Sequence, residues 1–330
     1  MTGPLRDVDV LIVGAGPAGL AAAARLAAAG VARVEVLDRE QQAGGVPRHC
    51  HHGGFGTWTH PLTGPAYARL LLGAAVRAGA VVRTGITALD WAGPLALNTV
   101  GPQGLETIRA AAVVLATGAR ERPRAARLVP GTRPEGVYTT GELQQAVHRY
   151  RQRIGTRVVV VGAEDVSYAA ADTARVAGAE VVAMVTELDR PQTTTARAQH
   201  ARLRHRVPLL THTTVTELLG HGRLSGVRIR HRDGRTTQLA CDTVVFTGDF
   251  VPDHELARRG GLVLDPGTRG PAVDGTLHTS RPGVFAAGGV LHPGERATAA
   301  AREGSQVAVA VRELLAGSRS SHSRWPDSPQ

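Results

Sequence analysis

The chain has 330 residues, 42% apolar, 20% charged and only 3% aromatic, which is enough length for about two domains with cores built from Ala, Val and Leu. Its formal charge is +10 and all 38 basic residues are Arg, which excludes a lysine nucleophile, a Schiff-base lysine and a P-loop lysine. The arginines are scattered with few aromatics beside them, which argues against nucleic-acid binding.

In chain order, Val8–Val13 is an apolar run followed by the turn Gly14-Ala15-Gly16-Pro17-Ala18-Gly19 and an Ala/Leu stretch to Ala29. That pattern predicts a strand, a tight glycine turn and a helix. Gly30 ends the helix, and Val34–Leu37 predicts a second strand that closes on Asp38 and Arg39. In such a unit the first glycine permits the turn, the second admits a pyrophosphate, and the third lets helix and strand approach. The phosphates rest on the helix N-terminus, where N–H groups and the dipole favour an anion. Asp38 stands where a ribose hydroxyl would be bound. These residues predict dinucleotide binding.

The segment Gly44-Gly45-Val46-Pro47-Arg48-His49-Cys50-His51-His52 comes next, and Val113–Ala119 reads as a buried strand ending in the turn at Thr117-Gly118. From Arg157 the first pattern repeats. Arg157–Val161 predicts a strand, Gly162 corresponds to Gly14, Val166–Val176 predicts a helix, Gly178 corresponds to Gly30, and Val181–Val185 predicts the next strand. The chemistry does not repeat, since Glu164, Asp165 and Ser167 stand where Gly16, Pro17 and Gly19 stand in the first copy. Val215–Leu219, Gly226–Arg232 and Thr236–Leu239 predict short strands with a hairpin at Asp233-Gly234, followed by a strand at Thr243–Thr247. Near the end, Gly283–Gly289 leads past Pro293 into a helical stretch from about Arg296 to Leu315.

Taken together, these motifs resemble the flavoproteins with two dinucleotide-binding domains, the pyridine nucleotide-disulfide oxidoreductase superfamily that includes thioredoxin reductase, over about Val8 to Gly317. The resemblance implies an α/β fold of two Rossmann-like domains, the second inserted into a discontinuous FAD domain. The expected boundaries are 1–121 and 265–316 for the FAD domain, 122–264 for an NAD(P)-binding-like domain with a degraded glycine motif, and 317–330 for a disordered tail. By position, FAD contacts fall on Gly14, Gly16, Pro17, Ala18, Gly19, Asp38, Arg39, Gly44, Gly45, Val46, Thr117, Gly118, Gly288 and Gly289. The family usually has Asp where this chain has Gly289, so one contact to the flavin side chain is missing.

In the superfamily the second unit would hold NAD(P)H. Here two carboxylates occupy the approach to the helix N-terminus and interact favourably with its dipole. NAD(P)H is therefore expected to bind weakly or not at all in the usual mode; the alternative is that Glu164 points outward and the nicotinamide still binds. In the family fold the loop after Gly45 runs past the flavin, so Arg48, His49, Cys50, His51 and His52 are the catalytic candidates. Arg48 or one histidine would stabilise the reduced anionic flavin and another would serve as acid or base. Cys50 and Cys241 are far apart with no Cys-x-x-Cys, which argues against a dithiol relay or a disulfide framework. Four adjacent residues cannot easily all turn to one tetrahedral ion, so no metal is expected.

The loop more loosely resembles the FAD α subunits of opine oxidases, hydroxyproline dehydrogenases and hydrogen cyanide synthase. That likeness implies a flavin enzyme acting on a small organic substrate, an amine or amino acid. The alternatives are an NAD(P)H-dependent flavin reductase and a flavin electron-relay subunit. The expected partners are a small-molecule substrate and either a second oxidoreductase or iron–sulfur subunit in a heteromer, or a second copy in a homodimer. With no run of about 18 apolar residues and no signal-peptide pattern, a cytoplasmic protein is expected.

Overall fold

A computed structural model describes residues 3–57 and 59–322, with side chains through 317. The described chain divides into two units.

The first unit is built on strands whose apolar runs are buried on both faces, as parallel strands require. It contains β1 (Leu5–Val13), α1 (Pro17–Ala28), β2 (Val34–Asp38), α2 (Gly64–Arg77), β3 (Val81–Thr84), β4 (Thr87–Gly93), β5 (Ala96–Gly101) and β6 (Gly104–Leu115). The strands lie in the order β3-β2-β1-β6-β5-β4, and Val284–Ala286 pairs with the end of β6. The pairs β1 with β2, β1 with β6 and β2 with β3 are parallel, whereas β4, β5 and the start of β6 form an antiparallel meander. Alternation along β1 separates two cores. Val10 and Ile12 pack with α1 and with Val307 and Val311 of the C-terminal helix Ala297–His322, while Leu11 is buried with Leu97, Ile108 and Leu256 on the other face.

The second unit repeats this plan. Its elements are β7 (Val137–Thr139), α3 (Thr140–Gln144), β8 (Arg157–Val161), α4 (Asp165–Val176), β9 (Glu180–Val185), α5 (Thr195–His205), β10 (Leu209–Leu210), β11 (Thr213–Leu219), β12 (Gly226–His231), β13 (Thr236–Leu239) and β14 (Thr243–Phe246). A parallel sheet in the order β7-β14-β8-β9-β10 carries Val158 and Val160 against α3 and α4. Val159, Val244 and Phe246 face Val215, Val227 and Ile229 of the antiparallel sheet β11-β12-β13. Asp242 staples the start of β8 by accepting the N–H groups of Thr156 and Arg157 at 2.8 and 3.0 Å.

Three boundaries differ from the sequence expectation. The chain rejoins the first unit at Val251, not 265, because Leu256, Ala257 and Leu262 belong to the core of Leu11 and Val13. Residues His49–Gly53 pack as part of the second unit although they lie between segments of the first. The expected tail begins inside a helix, which runs on to His322; residues 323–330 lie outside the described ones.

Candidate active site

In the first unit the glycines are demanded by backbone. Gly14 has φ of +111°, and a Cβ there would sit 2.2 Å from the Ala116 carbonyl oxygen, while one on Gly19 would sit 1.9 Å from that of Gly14. Gly16 is the N-cap of α1, Pro17 follows it, and among the described residues no side chain caps the helix. Among the described residues, no atom beyond its chain neighbours lies within 4 Å of a Cβ placed on Gly16. The first-turn N–H groups of Ala18 and Gly19 thus face a space that an anion can enter. The Asp38 carboxylate accepts the Ala15 N–H at 2.8 Å and the Glu40 N–H at 2.9 Å. Each oxygen keeps a further lone pair for a hydroxyl. These residues fit the ADP half of a dinucleotide.

Other expected flavin residues gather around this turn. The Gly44 N–H donates to the Ala15 carbonyl at 2.8 Å, and a Cβ on Gly45 would meet the Gly16 Cα at 2.8 Å. Thr117 Oγ1 donates to the Asp253 carbonyl at 2.6 Å, and Arg39 pairs with the Asp253 carboxylate at 3.0 Å. Gly288, with φ of +80°, packs so closely that a Cβ would lie 2.7 Å from that of Ala18. Its N–H donates to Glu303 Oε2. Burial pushes the Glu303 carboxyl above its ordinary range against the pull of that N–H and of His292. Val46 is exposed.

The second glycine turn is closed by its own side chains. Glu164 is the N-cap of α4 and forms a capping box with Ser167, whose N–H donates to the Glu164 backbone carbonyl at 2.9 Å. Ser167 Oγ donates to Glu164 Oε2 at 2.7 Å, lies 2.6 Å from Thr247 Oγ1, and accepts the Glu164 N–H at 3.1 Å. Arg127 cannot serve as a phosphate clamp, since it donates to the carbonyls of Arg122, Thr247 and Gly248 at 2.8, 3.0 and 2.8 Å. Its guanidinium is half-buried, and that burial lowers its pKa while Asp249, Glu121 and Glu164 hold it charged. Asp165, the next residue, bonds Thr193. Two like unit charges about 4 Å apart repel by roughly 4 kcal/mol at an effective dielectric of about 20. The residues at the α4 N-terminus therefore do not fit a pyrophosphate approaching as it would at α1.

The expected catalytic run is divided. Arg48 stays with the first unit, donating to the Gly45 carbonyl at 3.3 Å and facing Glu40 at 3.6 Å. His49 ends a short 3₁₀ turn (Val46–His49). Cys50 is buried, its thiol donating to Gln144 Oε1 at 3.4 Å, and burial with the nearby Glu121 charge pushes it up to about 12. A thiol so placed is protonated at neutral pH and is not a nucleophile. His51 stacks on His148 with centroids 4.2 Å apart. Burial, then the charges of His51 and His52, lower the His148 pKa. His52 Nδ1 lies 2.7 Å from the Gly53 carbonyl. Among the described residues no three His, Cys, Asp or Glu side chains gather as metal ligands.

The family model for pyridine nucleotide-disulphide oxidoreductases matches residues 8–304. The chain belongs to that family. It is 29% identical over 314 residues to thioredoxin reductase of Mycolicibacterium smegmatis, covering 93% of this chain and 96% of that one. It is 30% identical over 279 residues to the sarcosine oxidase alpha subunit of Corynebacterium sp. (strain U-96), and 29% identical over 318 residues to an opine oxidase subunit of Rhizobium meliloti. These matches cover 78% and 85% of this chain but 28% and 58% of those longer ones. The fold superposes on the crystal structure of T. acidophilum thioredoxin reductase with a TM-score of 0.81 at 24% identity, covering 94% of this chain and 99% of that one.

As a pyridine nucleotide-disulphide oxidoreductase the protein is a flavin enzyme with the Rossmann-type fold, and members of the family bind FAD and use NAD(P)H. No helix among the described residues is long and apolar enough to cross a membrane. Sequence reasoning missed Glu303, Gln144 and His148. The first lies inside the C-terminal stretch read only as a helix, and the others reach Cys50 and His51 from more than ninety positions away in sequence.

Proposed function

We propose that the protein oxidises a small organic substrate, an amine or amino acid, with bound FAD, and does not draw electrons from NAD(P)H held at the second glycine turn. The observation that carries this reading is the Glu164 carboxylate locked over the α4 N-terminus by Ser167 and Thr247. When bound, FAD supplies the two-electron redox chemistry. Gly14, Gly16, Pro17, Ala18 and Gly19 hold its pyrophosphate, Asp38 its ribose, and Thr117, Gly118, Gly288 and Gly289 border its remaining length, with Arg39, Gly44, Gly45 and Val46 at the rim. His49, His51 and His52 are the proton-handling candidates and Arg48 the electrostatic one. Cys50 has a packing role beside Gln144. Cys241 is buried in the second core with its thiol also pushed up to about 12, so neither cysteine supports the dithiol chemistry of a thioredoxin reductase.

The relatives named as subunits of sarcosine and opine oxidases support a second reading, a flavin subunit that passes electrons inside a heteromer. Anaerobic titration of the purified holoprotein tests both. The expected result is an oxidised-flavin band that persists with NADH or NADPH and bleaches with an amine or amino-acid donor. Rapid bleaching by either nucleotide overturns the proposal, and bleaching by organic donors only after a partner subunit is added selects the relay reading.

A further inference from the structure

We propose that the antiparallel sheet of the second unit carries a binding site for a small multivalent anion bearing phosphate or carboxylate groups. A cleft of about 450 Å³ is lined by residues of the β9–α5 turn, of the start of β11 and of the β12–β13 hairpin. It shares no residue with the α4 N-terminus.

Cross-strand pairing explains its charge. Along β12, Arg228 stands opposite Glu217 and is paired with it. Two residues on, Arg230 has the same facing but stands opposite Thr214. Neither Arg230 nor Arg232 has an ion-pair partner among the described residues, and both are exposed. An isolated surface arginine is an ordinary solvated charge, but this pair flanks a cleft whose other walls are fixed. His212 is in the left-handed region, with φ of +50°. It is pinned there because its N–H donates to the Leu188 carbonyl at 3.1 Å and its carbonyl accepts the Arg232 N–H at 2.9 Å. The His231 ring is oriented by Thr213 Oγ1 at 3.0 Å. Non-glycine residues held in that region cluster at ligand sites, and planar guanidinium forks match the oxygens of phosphate and carboxylate groups. Glu187 stands in the same lining and limits affinity by like-charge repulsion.

Calorimetric titration of the full-length protein at constant ionic strength tests the site, with pyrophosphate and citrate as separate probes and chloride as the background. Saturable one-to-one binding of at least one probe is expected. Arg230→Ala or Arg232→Ala should weaken it at least about tenfold, and Glu187→Gln should tighten it several-fold. Arg235→Ala should leave it unchanged, because Arg235 is occupied by Asp233 on the same hairpin. Pyrophosphate alone binding assigns a phosphate compound, citrate alone a carboxylate compound, and both the shared anion chemistry. No saturable binding, or equal weakening by Arg235→Ala, overturns the proposal.

Discussion

At the residue scale the two glycine turns differ by side chains that either leave a helix N-terminus open or close it. Gly16 leaves α1 uncapped, whereas Glu164 caps α4. Replacing Glu164 and Ser167 together by Gly restores the spacing of the first turn. Gly at the cap position should cost only about a few tenths of a kcal/mol of stability, and NADH-driven flavin bleaching should appear at least about tenfold faster than in the parent, read by stopped-flow absorbance. Gly289 is a second such position. A Cβ there would meet only Gly118 and Ala119 backbone at 3.4 to 3.5 Å, an ordinary contact, so no steric reason requires glycine. Gly289→Asp should raise the fraction of FAD retained through gel filtration, by supplying a carboxylate acceptor beside the backbone donors. An unchanged fraction would place the missing family contact elsewhere.

At the element scale, residues His49–Gly53 dock on the segment that begins with α3 and continues through a π-helical turn, Gln145–Arg149. The contact joins a buried thiol, an amide and two stacked imidazoles. Because the His148 pKa is lowered in the folded state from its ordinary 6.5, the unfolded chain binds more protons as pH falls below that value. Stability contributed here is therefore complete above about pH 6.5 and is lost as pH falls toward the folded pKa. His148→Asn should flatten the dependence of the unfolding midpoint on pH between about 5 and 7, measured by chemical denaturation. A profile as steep as the parent's would assign the pH dependence to other groups.

At the scale of the whole molecule, one plan is used twice with two outcomes. Each unit has a parallel sheet with its long helices on one face and antiparallel strands serving the other. The first turn leaves its helix N–H groups open and the second does not, so FAD and NADH should act differently on stability. A ligand at about a hundred times its Kd stabilises by about 2.7 kcal/mol. FAD in excess should therefore raise the melting temperature of flavin-stripped protein, and NADH at the same concentration should not. An equal rise with NADH would show that the capped turn admits the nucleotide after all.

The strand, glycine-turn and helix units were legible in the sequence because their signals are local. Gly14 and Gly19 declare themselves through backbone sterics, Gly16 through the space it leaves at the helix N-terminus, and the apolar runs of β1, β2, β8 and β9 through burial on both faces. The repeat, and the carboxylate at position 164, were equally readable, since they depend only on spacing. Other features depend on residues distant in sequence and on competition among cores. The chain rejoins the first unit at Val251 because Leu256 and Leu262 complete its apolar core. The His49–Gly53 run follows Gln144 and His148 and departs from its sequence neighbours. Which turn leaves its helix N-terminus open is therefore written in the order of residues alone, because it rests on local backbone freedom and on the residue at the helix cap. The places of Cys50 and the histidines, and the lack of a carboxylate opposite Arg230, emerge from folding, because long-range packing and strand register set both.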